Sequence, residues 1–216
     1  MYNNTSNNNT VYADWEQGIN DALPRTLSIR SKGYRRIIRT IFNRCQGNKI
    51  LSIGSGTGVF EKELQAVGYS ILASDNHLSA VDLCIEKELN TILFDVMKME
   101  YTHTFSPDII YLDGVLGHLW TPDNLNPLVW QRLANINKSS LLLLSNDISD
   151  DAHINWKVTG MPNEHFFRPP KGWFCSDAEH NGWHQVLSTI IPYRRRDAWR
   201  QREVLVLATD EQMDRT

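Results

Sequence analysis

A glycine-rich turn is the part of the sequence whose residue types and spacing best suit ligand chemistry. Gly54, Ser55, Gly56, Thr57 and Gly58 directly follow the apolar run KILSI. Glycines allow a backbone to approach a ligand closely and to adopt conformations that a Cβ would forbid, and a helix that starts here would offer its N-terminus. The spacing differs from the dinucleotide fingerprint and lacks the Gly-Lys-Ser/Thr of a phosphate loop. The sequence therefore predicts a ligand-binding turn that is neither a dinucleotide fingerprint nor a phosphate loop.

Three aspartates stand where later apolar runs end. Asp75 closes SILASD, and its carboxylate suits the two hydroxyls of a ribose. Asp95, in FDVM, suits the exocyclic amine of an adenine. Asp113, in YLDG, is the third such residue. Because aspartate at a strand end is also a common cap or turn residue, that interpretation stays open for each.

The elements that must position these residues alternate between strands and helices. Short apolar runs at 49–53, 69–74, 91–94, 108–112 and 140–145 alternate with helical patterns at 59–67, 78–89 and 124–136. Such runs are typical of strands buried on both faces of a parallel sheet, and their alternation with helices indicates right-handed βαβ units. Runs at 183–193 and 203–209 lack a helix between them and predict an antiparallel hairpin. We therefore predict an α/β fold: a Rossmann-like, doubly wound, seven-stranded, mostly parallel sheet with a C-terminal antiparallel hairpin.

The rest of the chain predicts one domain with two additions. We expect residues 1–10 to be disordered and residues 11–216 to form the domain. Residues 11–46 are predicted to be a helical N-terminal cap. The irregular, aromatic-rich stretch at 148–182 is predicted to be an insert on the substrate side, since loops of this length are usually functional or disordered.

At this point the sequence resembles the class I S-adenosylmethionine-dependent methyltransferases. The resemblance rests on ILSIGSGTG at 50–58, SDN at 74–76, FDV at 94–96 and DIIYLDGVLGHL at 108–119. It implies S-adenosylmethionine as the cofactor. The implied cofactor-binding residues are Gly54, Ser55, Gly56, Gly58, Asp75, Asn76, Asp95, Val96 and Asp113.

Methyl transfer to a hydroxyl or protonated amine needs a base, for which we predict His118, with Asp113 as a second candidate catalytic residue. A buried histidine that supports the cofactor loop is the alternative for His118. His153, His165, His180 and His184 are weaker candidates for the base, and a solvated loop histidine is the alternative for each. The acceptor pocket is predicted to include Tyr12, Trp15, His153, Trp156, Phe166 and Trp173, since ligand pockets are mostly apolar and aromatic. Packing in the core or of a long loop is the alternative for these aromatic residues.

The composition favours a small-molecule acceptor. The 216 residues carry 22 Lys and Arg against 25 Asp and Glu, which makes nucleic acid an unlikely partner. The arginines at 194–196, 200 and 202 are interpreted mainly as a solvated hairpin, although they keep an RNA or protein methyltransferase open. A metal-dependent catechol-type O-methyltransferase, with Asp113, Asn146 and Asp147 as ligands, is a further alternative, as is a cofactor-binding module without activity. We expect no bound metal.

Location is predicted from the cysteines and the apolar runs. The three scattered cysteines and the polar, asparagine-rich start predict neither a disulfide framework nor a secretory signal. Apolar runs are too short for a membrane helix, so we expect a cytoplasmic enzyme. The sequence predicts no oligomeric state.

Overall fold

The computed structural model describes residues 32–119, 128–150, 166–194 and 199–213. Within them, the apolar runs form seven strands: β1 (Lys49–Ile53), β2 (Ser70–Asp75), β3 (Asn90–Leu93), β4 (Ile109–Asp113), β5 (Leu141–Ile148), β6 (Trp183–Arg194) and β7 (Trp199–Thr209). The helices described are α1 (Lys32–Phe42), α2 (Val59–Ala66), α3 (Leu78–Glu86), α4 (Leu116–Leu119), α5 (Leu128–Ile136), α6 (Trp173–Glu179) and α7 (Asp210–Met213).

The strands form one mixed sheet in the order β3-β2-β1-β4-β5-β7-β6. All pairings from β3 to β5 are parallel, whereas β7 pairs antiparallel with both β5 and β6. The predicted fold class is confirmed. The chain order reverses between β1 and β4, and in open α/β sheets this crevice, at the carboxyl ends of the strands, is where ligands bind.

Both faces of the central parallel strands β1, β2, β4 and β5 are buried, which explains why these strands are apolar without alternation. Ile50 and Leu51 are adjacent on β1 and both are fully buried, yet they belong to different core clusters. One cluster contains Trp130 of α5. The other contains Phe42 of α1, whose ring contacts Tyr111 edge-on at 5.1 Å. Helices therefore pack on both faces of the sheet, and this packing fixes the positions of the carboxyl ends of its central strands.

Several details differ from the sequence prediction, including the end of β5, which extends to Ile148 rather than to 145. The stretch at 148–182 contains the helix α6, which follows Gly172 in the left-handed conformation. Strand β7 begins at Trp199 rather than at 203, because pairing with β6 and β5 extends the strand through its arginines. Helix α3 ends at Glu86, and Glu88, just beyond it, has a φ of 57°. In the described ranges, no helix combines the length and the apolar character needed to cross a membrane.

Candidate functional site

The glycine turn after β1 has a backbone that requires glycine. Gly54, Gly56 and Gly58 have φ angles of 73°, 56° and 69°, a region that L-residues with a Cβ rarely adopt. A Cβ at Gly54 would lie 2.4 Å from Cγ2 of Val115. The turn is therefore packed directly against the segment that follows β4, at the carboxyl ends of β1 and β4.

Asp75 ties the end of β2 to this turn. Its carboxylate oxygens accept hydrogen bonds from the N–H groups of Gly56 and His77, each at 3.0 Å. Burial raises the pKa of Asp75, and the two backbone donors oppose that shift. Each carboxylate oxygen accepts two hydrogen bonds. One backbone donor on each oxygen thus leaves each oxygen able to accept a second hydrogen bond.

Asp95 lies beside Asp75 because the two strand ends are joined. The N–H of Phe94 donates to the backbone carbonyl of Asp75 at 2.9 Å. One oxygen of Asp95 accepts from the N–H of Met97 at 2.9 Å, and the other lies 3.4 Å from the exposed Lys98 amine. The Asp95 carboxylate thus stabilises the turn after β3 through one oxygen and remains partly exposed to solvent. The neighbouring predicted residues Val96 and Asn76 are buried and exposed, respectively.

A buried glutamate lies near these acids, and sequence reasoning missed it. Glu61 of α2 is 4% exposed and accepts a hydrogen bond of 2.7 Å from the Ser52 hydroxyl of β1. Burial raises the pKa of Glu61 to about 7, and the charges of Asp113 and Asp75 add to this rise. The position gave one weak signal: its helical spacing places it three residues before the buried Leu64.

The Asp113 carboxylate, a predicted catalytic and cofactor-binding group, is surrounded by protein donors. One oxygen accepts from the Arg202 guanidinium, from the Ser145 hydroxyl at 2.5 Å and from the Tyr34 hydroxyl at 3.2 Å. The other accepts from the Tyr111 hydroxyl at 3.1 Å. Burial raises the pKa of both tyrosines, so they stay protonated and able to donate. The side chain is 21% exposed, and the four donors favour a positioning role over proton abstraction.

Arg202 is the centre of this network. It is 1% exposed, and its guanidinium also donates to Asp147 at 2.7 Å. The second oxygen of Asp147 accepts from the Tyr193 hydroxyl at 2.6 Å. Although burial disfavours the charge, the Asp113 carboxylate raises the pKa of Arg202. The interpretation of Arg202 as part of a solvated hairpin is therefore wrong, because two carboxylates from neighbouring strands hold it in the core.

His118 and Phe166, predicted from distant parts of the chain, are brought together. His118 lies on α4, and its exposed ring meets Phe166 edge-on at 4.9 Å. Its backbone N–H donates to Val115 at 2.9 Å, and Val115 packs beneath the glycine turn. His118 and Phe166 thus lie together beyond the carboxyl end of β4.

Trp173 is placed differently from Phe166. Its ring packs edge-on to Phe167 at 4.8 Å and to Phe174 at 5.2 Å, against the core. This aromatic cluster fits the packing interpretation better than a role in lining a pocket. Tyr12, Trp15, His153, Trp156 and His165 lie outside the described residues. The exposed His180 and His184 contact Ser176 and Asp210, respectively.

The oxygens proposed for a metal have other partners. Asp147 binds Arg202 and Tyr193, and the Asn146 carbonyl oxygen accepts from the N–H of Gly117 at 3.0 Å. Across the ranges that the structure describes, no group of three His, Cys, Asp or Glu side chains is arranged to hold a metal ion. The described residues thus offer nothing specific to the metal-dependent alternative.

Solved structures that align with this chain include S-adenosylmethionine-dependent methyltransferases. An S-adenosylmethionine-dependent methyltransferase from Methanosarcina mazei aligns with a TM-score of 0.64 at 12% identity, covering 78% of this chain and 96% of its own. The 1,6-didemethyltoxoflavin-N1-methyltransferase of Burkholderia thailandensis, solved with its substrate and S-adenosylhomocysteine, aligns with a TM-score of 0.61 at 14% identity, covering 82% and 77%. The chain has the fold of the class I S-adenosylmethionine-dependent methyltransferases.

A curated protein gives a more particular relationship. The "Tabtoxin biosynthesis enzyme" of Pseudomonas amygdali pv. tabaci is 34% identical over an alignment of 149 residues that covers 66% of this chain. The matched part spans 58% of that protein's length. Comparison with models of known protein families finds no match.

Proposed function

We propose that the protein binds S-adenosylmethionine in the β1–β4 crevice and transfers its methyl group to a nitrogen or oxygen of a small molecule. The observation that carries this proposal is the glycine turn with positive φ angles, tied by Asp75 to the end of β2 at the crevice of this fold. The presence of S-adenosylhomocysteine in the Burkholderia neighbour supports the cofactor.

The cofactor's parts match the acids along the edge of the sheet. Asp75 would accept from the ribose hydroxyls with its remaining lone pairs, and Asp95 would accept from the adenine amine. Gly54, Ser55, Gly56 and Gly58 would lie under the methionine part, where a Cβ would block a close approach. Asn76 and Val96 would flank the ribose and the adenine. The proposed nucleoside site thus has carboxylate hydrogen-bond acceptors on one side and the glycine turn, with few side chains, on the other.

The reaction needs little covalent chemistry from the protein. A lone pair of the acceptor attacks the methyl carbon, the carbon–sulfur bond breaks with its electron pair going to sulfur, and S-adenosylhomocysteine leaves. His118 would take the proton of the acceptor nitrogen or hydroxyl, since an imidazole titrates near neutral pH. The protein's main contribution is alignment of the acceptor with the sulfonium.

Two observations support a small-molecule acceptor. The Burkholderia neighbour methylates 1,6-didemethyltoxoflavin, and the curated relative is a tabtoxin biosynthesis enzyme. Arg202, one of the residues that kept RNA as an alternative substrate, is buried in the ion-pair network. We therefore place the protein in biosynthetic small-molecule methylation, with Phe166 on the acceptor side.

Calorimetric binding of S-adenosylmethionine tests the proposal. The wild type should bind it, and D75A should weaken binding at least about tenfold, the cost of two lost hydrogen bonds. D82A is the matched control, because Asp82 is exposed on α3. Failure of the folded wild type to bind would overturn the cofactor assignment.

A second measurement separates ribose binding from simple damage to the turn. The wild type should prefer 5′-methylthioadenosine to its 2′-deoxy analogue, and D75A should lose that preference. An equal preference in both proteins would refute the ribose role of Asp75, even if D75A bound all ligands more weakly. Incubation with methyl-labelled S-adenosylmethionine and candidate acceptors then tests transfer, which H118A should slow.

A further inference from the structure

The side-chain amide of Asn146 joins three separate segments at the end of β5. Asn146 is fully buried, and its carbonyl oxygen accepts from the N–H of Gly117 at 3.0 Å. Its amide nitrogen donates to the carbonyl of Phe167 at 3.2 Å and to that of Asp147 at 2.9 Å. One side chain thus satisfies backbone groups of α4, of the segment that enters α6, and of β5 itself.

The two joined segments also touch one another directly. The N–H of Phe167 donates to the carbonyl of Gly117 at 2.7 Å. A Cβ at Gly117 would lie 2.7 Å from the Phe166 ring and 2.8 Å from the Phe167 carbonyl oxygen. The backbones are therefore as close as glycine allows, and the position of residues 166–167 against α4 is tightly restricted.

This contact determines the geometry of two predicted site residues. His118 directly follows Gly117, and Phe166 directly precedes Phe167. Their rings meet edge-on with centroids 4.9 Å apart. The hydrogen bonds of Asn146 are made to the neighbours of both rings, so rotation or withdrawal of either segment would separate the rings.

We propose that Asn146 is a positioning residue for methyl transfer, which holds His118 and Phe166 together as one wall on the acceptor side of the crevice. This inference rests on the proposed function. The wall combines a titratable nitrogen with an aromatic ring, which suits an acceptor that carries its methylated nitrogen or oxygen next to a flat, apolar ring. Asn146 touches neither acceptor nor cofactor in this role and acts through the segments that it joins.

The test compares N146A with N137A. Asn137 is a matched control because its side chain also bonds to backbone, donating to the Pro107 carbonyl at 2.7 Å and accepting from the Ser139 N–H at 3.1 Å. These contacts lie just before the amino ends of β4 and β5, at the opposite edge of the sheet. A purely structural role would make the two variants alike once they are compared at equal stability.

Hydrogen exchange gives the first readout. In N146A the amides of Gly117 and Phe167 should exchange at least about tenfold faster than in N137A, as a local opening. Calorimetric affinity for S-adenosylhomocysteine should stay within about threefold of wild type, a change below about 1 kcal/mol. Unchanged protection of both amides in N146A would overturn the proposal.

The His118 ring gives the second readout, by NMR. Addition of S-adenosylhomocysteine should shift the His118 imidazole signals in the wild type and in N137A, and N146A should lose most of this shift. An equal shift in all three proteins would contradict the positioning role. If the wild type binds no S-adenosylhomocysteine, the proposed function fails and not this inference alone.

A second variant covers the case in which N146A does not fold. G117A keeps Asn146 but places a methyl group against the Phe166 ring and the Phe167 carbonyl. It should also remove the His118 shift while keeping affinity for S-adenosylhomocysteine. Retention of the His118 shift in G117A would show that the contact between α4 and residues 166–167 does not set the wall.

Discussion

Replacement of Arg202 by methionine should strongly destabilise the protein. The change removes the cation between Asp113 and Asp147 and leaves two carboxylates on adjacent strands without it. Removal of one partner of a buried ion pair costs about 3–5 kcal/mol, because the remaining charge is desolvated and uncompensated. At roughly 2–4 °C per kcal/mol for a chain of this size, the melting temperature should fall by about 6–20 °C.

The control is the same substitution at an ion pair near the surface. Arg35 pairs with Glu63 at 3.0 Å, and the Glu63 side chain is 40% exposed. Exposed pairs contribute up to about 1 kcal/mol, so R35M should lower the melting temperature by only a few degrees. Thermal unfolding of both variants, followed by circular dichroism, makes the comparison.

A triple variant separates stranded charge from lost packing. R202M/D113N/D147N keeps the shapes of the acids but removes their charges, and it should recover part of the stability that R202M loses. Equal melting temperatures for R202M and R35M would refute the view of Arg202 as the cation that holds this end of the sheet together. A triple variant less stable than R202M would refute the charge argument alone.

Three further predictions concern the residues around the crevice. The wild type should lose stability as the pH rises from about 4.5 to about 7, because folded Glu61 keeps its proton up to about pH 7 while the unfolded chain releases it near 4.5. In urea titrations, E61Q should lack this loss and be more stable than the wild type at pH 8. Parallel pH profiles of the two proteins would contradict the assignment. G58A should lower both the melting temperature and the affinity for S-adenosylmethionine, because its Cβ would lie 2.7 Å from the Cys84 sulfur at a φ of 69°; binding and stability like those of wild type would refute the need for glycine. Y34F should cost about 1–3 kcal/mol in chemical unfolding, since Asp113 and the buried Ser145 and Arg202 lose a hydrogen-bond partner; a loss below about 0.5 kcal/mol would show that they are satisfied without it.

Much of the cofactor side could be predicted from the sequence because its signals are local. The glycine turn, the strand before it and the acid that ends β2 are close in sequence, and each follows from residue type and spacing. The mostly parallel sheet with its C-terminal antiparallel hairpin followed from the alternation of strands and helices, and the order of the strands came from the structure. The single-domain organisation of residues 11–216 and the roles of the individual site residues stay predictions.

The acceptor side was less predictable because its contacts join distant residues. In the sequence, Asn146 could equally be a metal ligand or a partner of the backbone, because a side-chain amide at the end of a strand can bind either an ion or a backbone group. Its contact with Phe167 spans 21 positions and that with Gly117 spans 29. Only the folded arrangement shows which partners the amide has.

What the sequence determined by itself is the fold class, with a glycine turn and aspartates at the ends of its strands, because apolar runs, glycine conformations and strand-end acids depend on local chemistry. The tertiary structure decided which polar groups are buried together. Arg202 lies 89 positions from Asp113 and 55 from Asp147, in a stretch with the composition of a solvated turn. The energy of a charge depends on the dielectric and the partners around it, and these exist only once β4, β5 and β7 lie side by side.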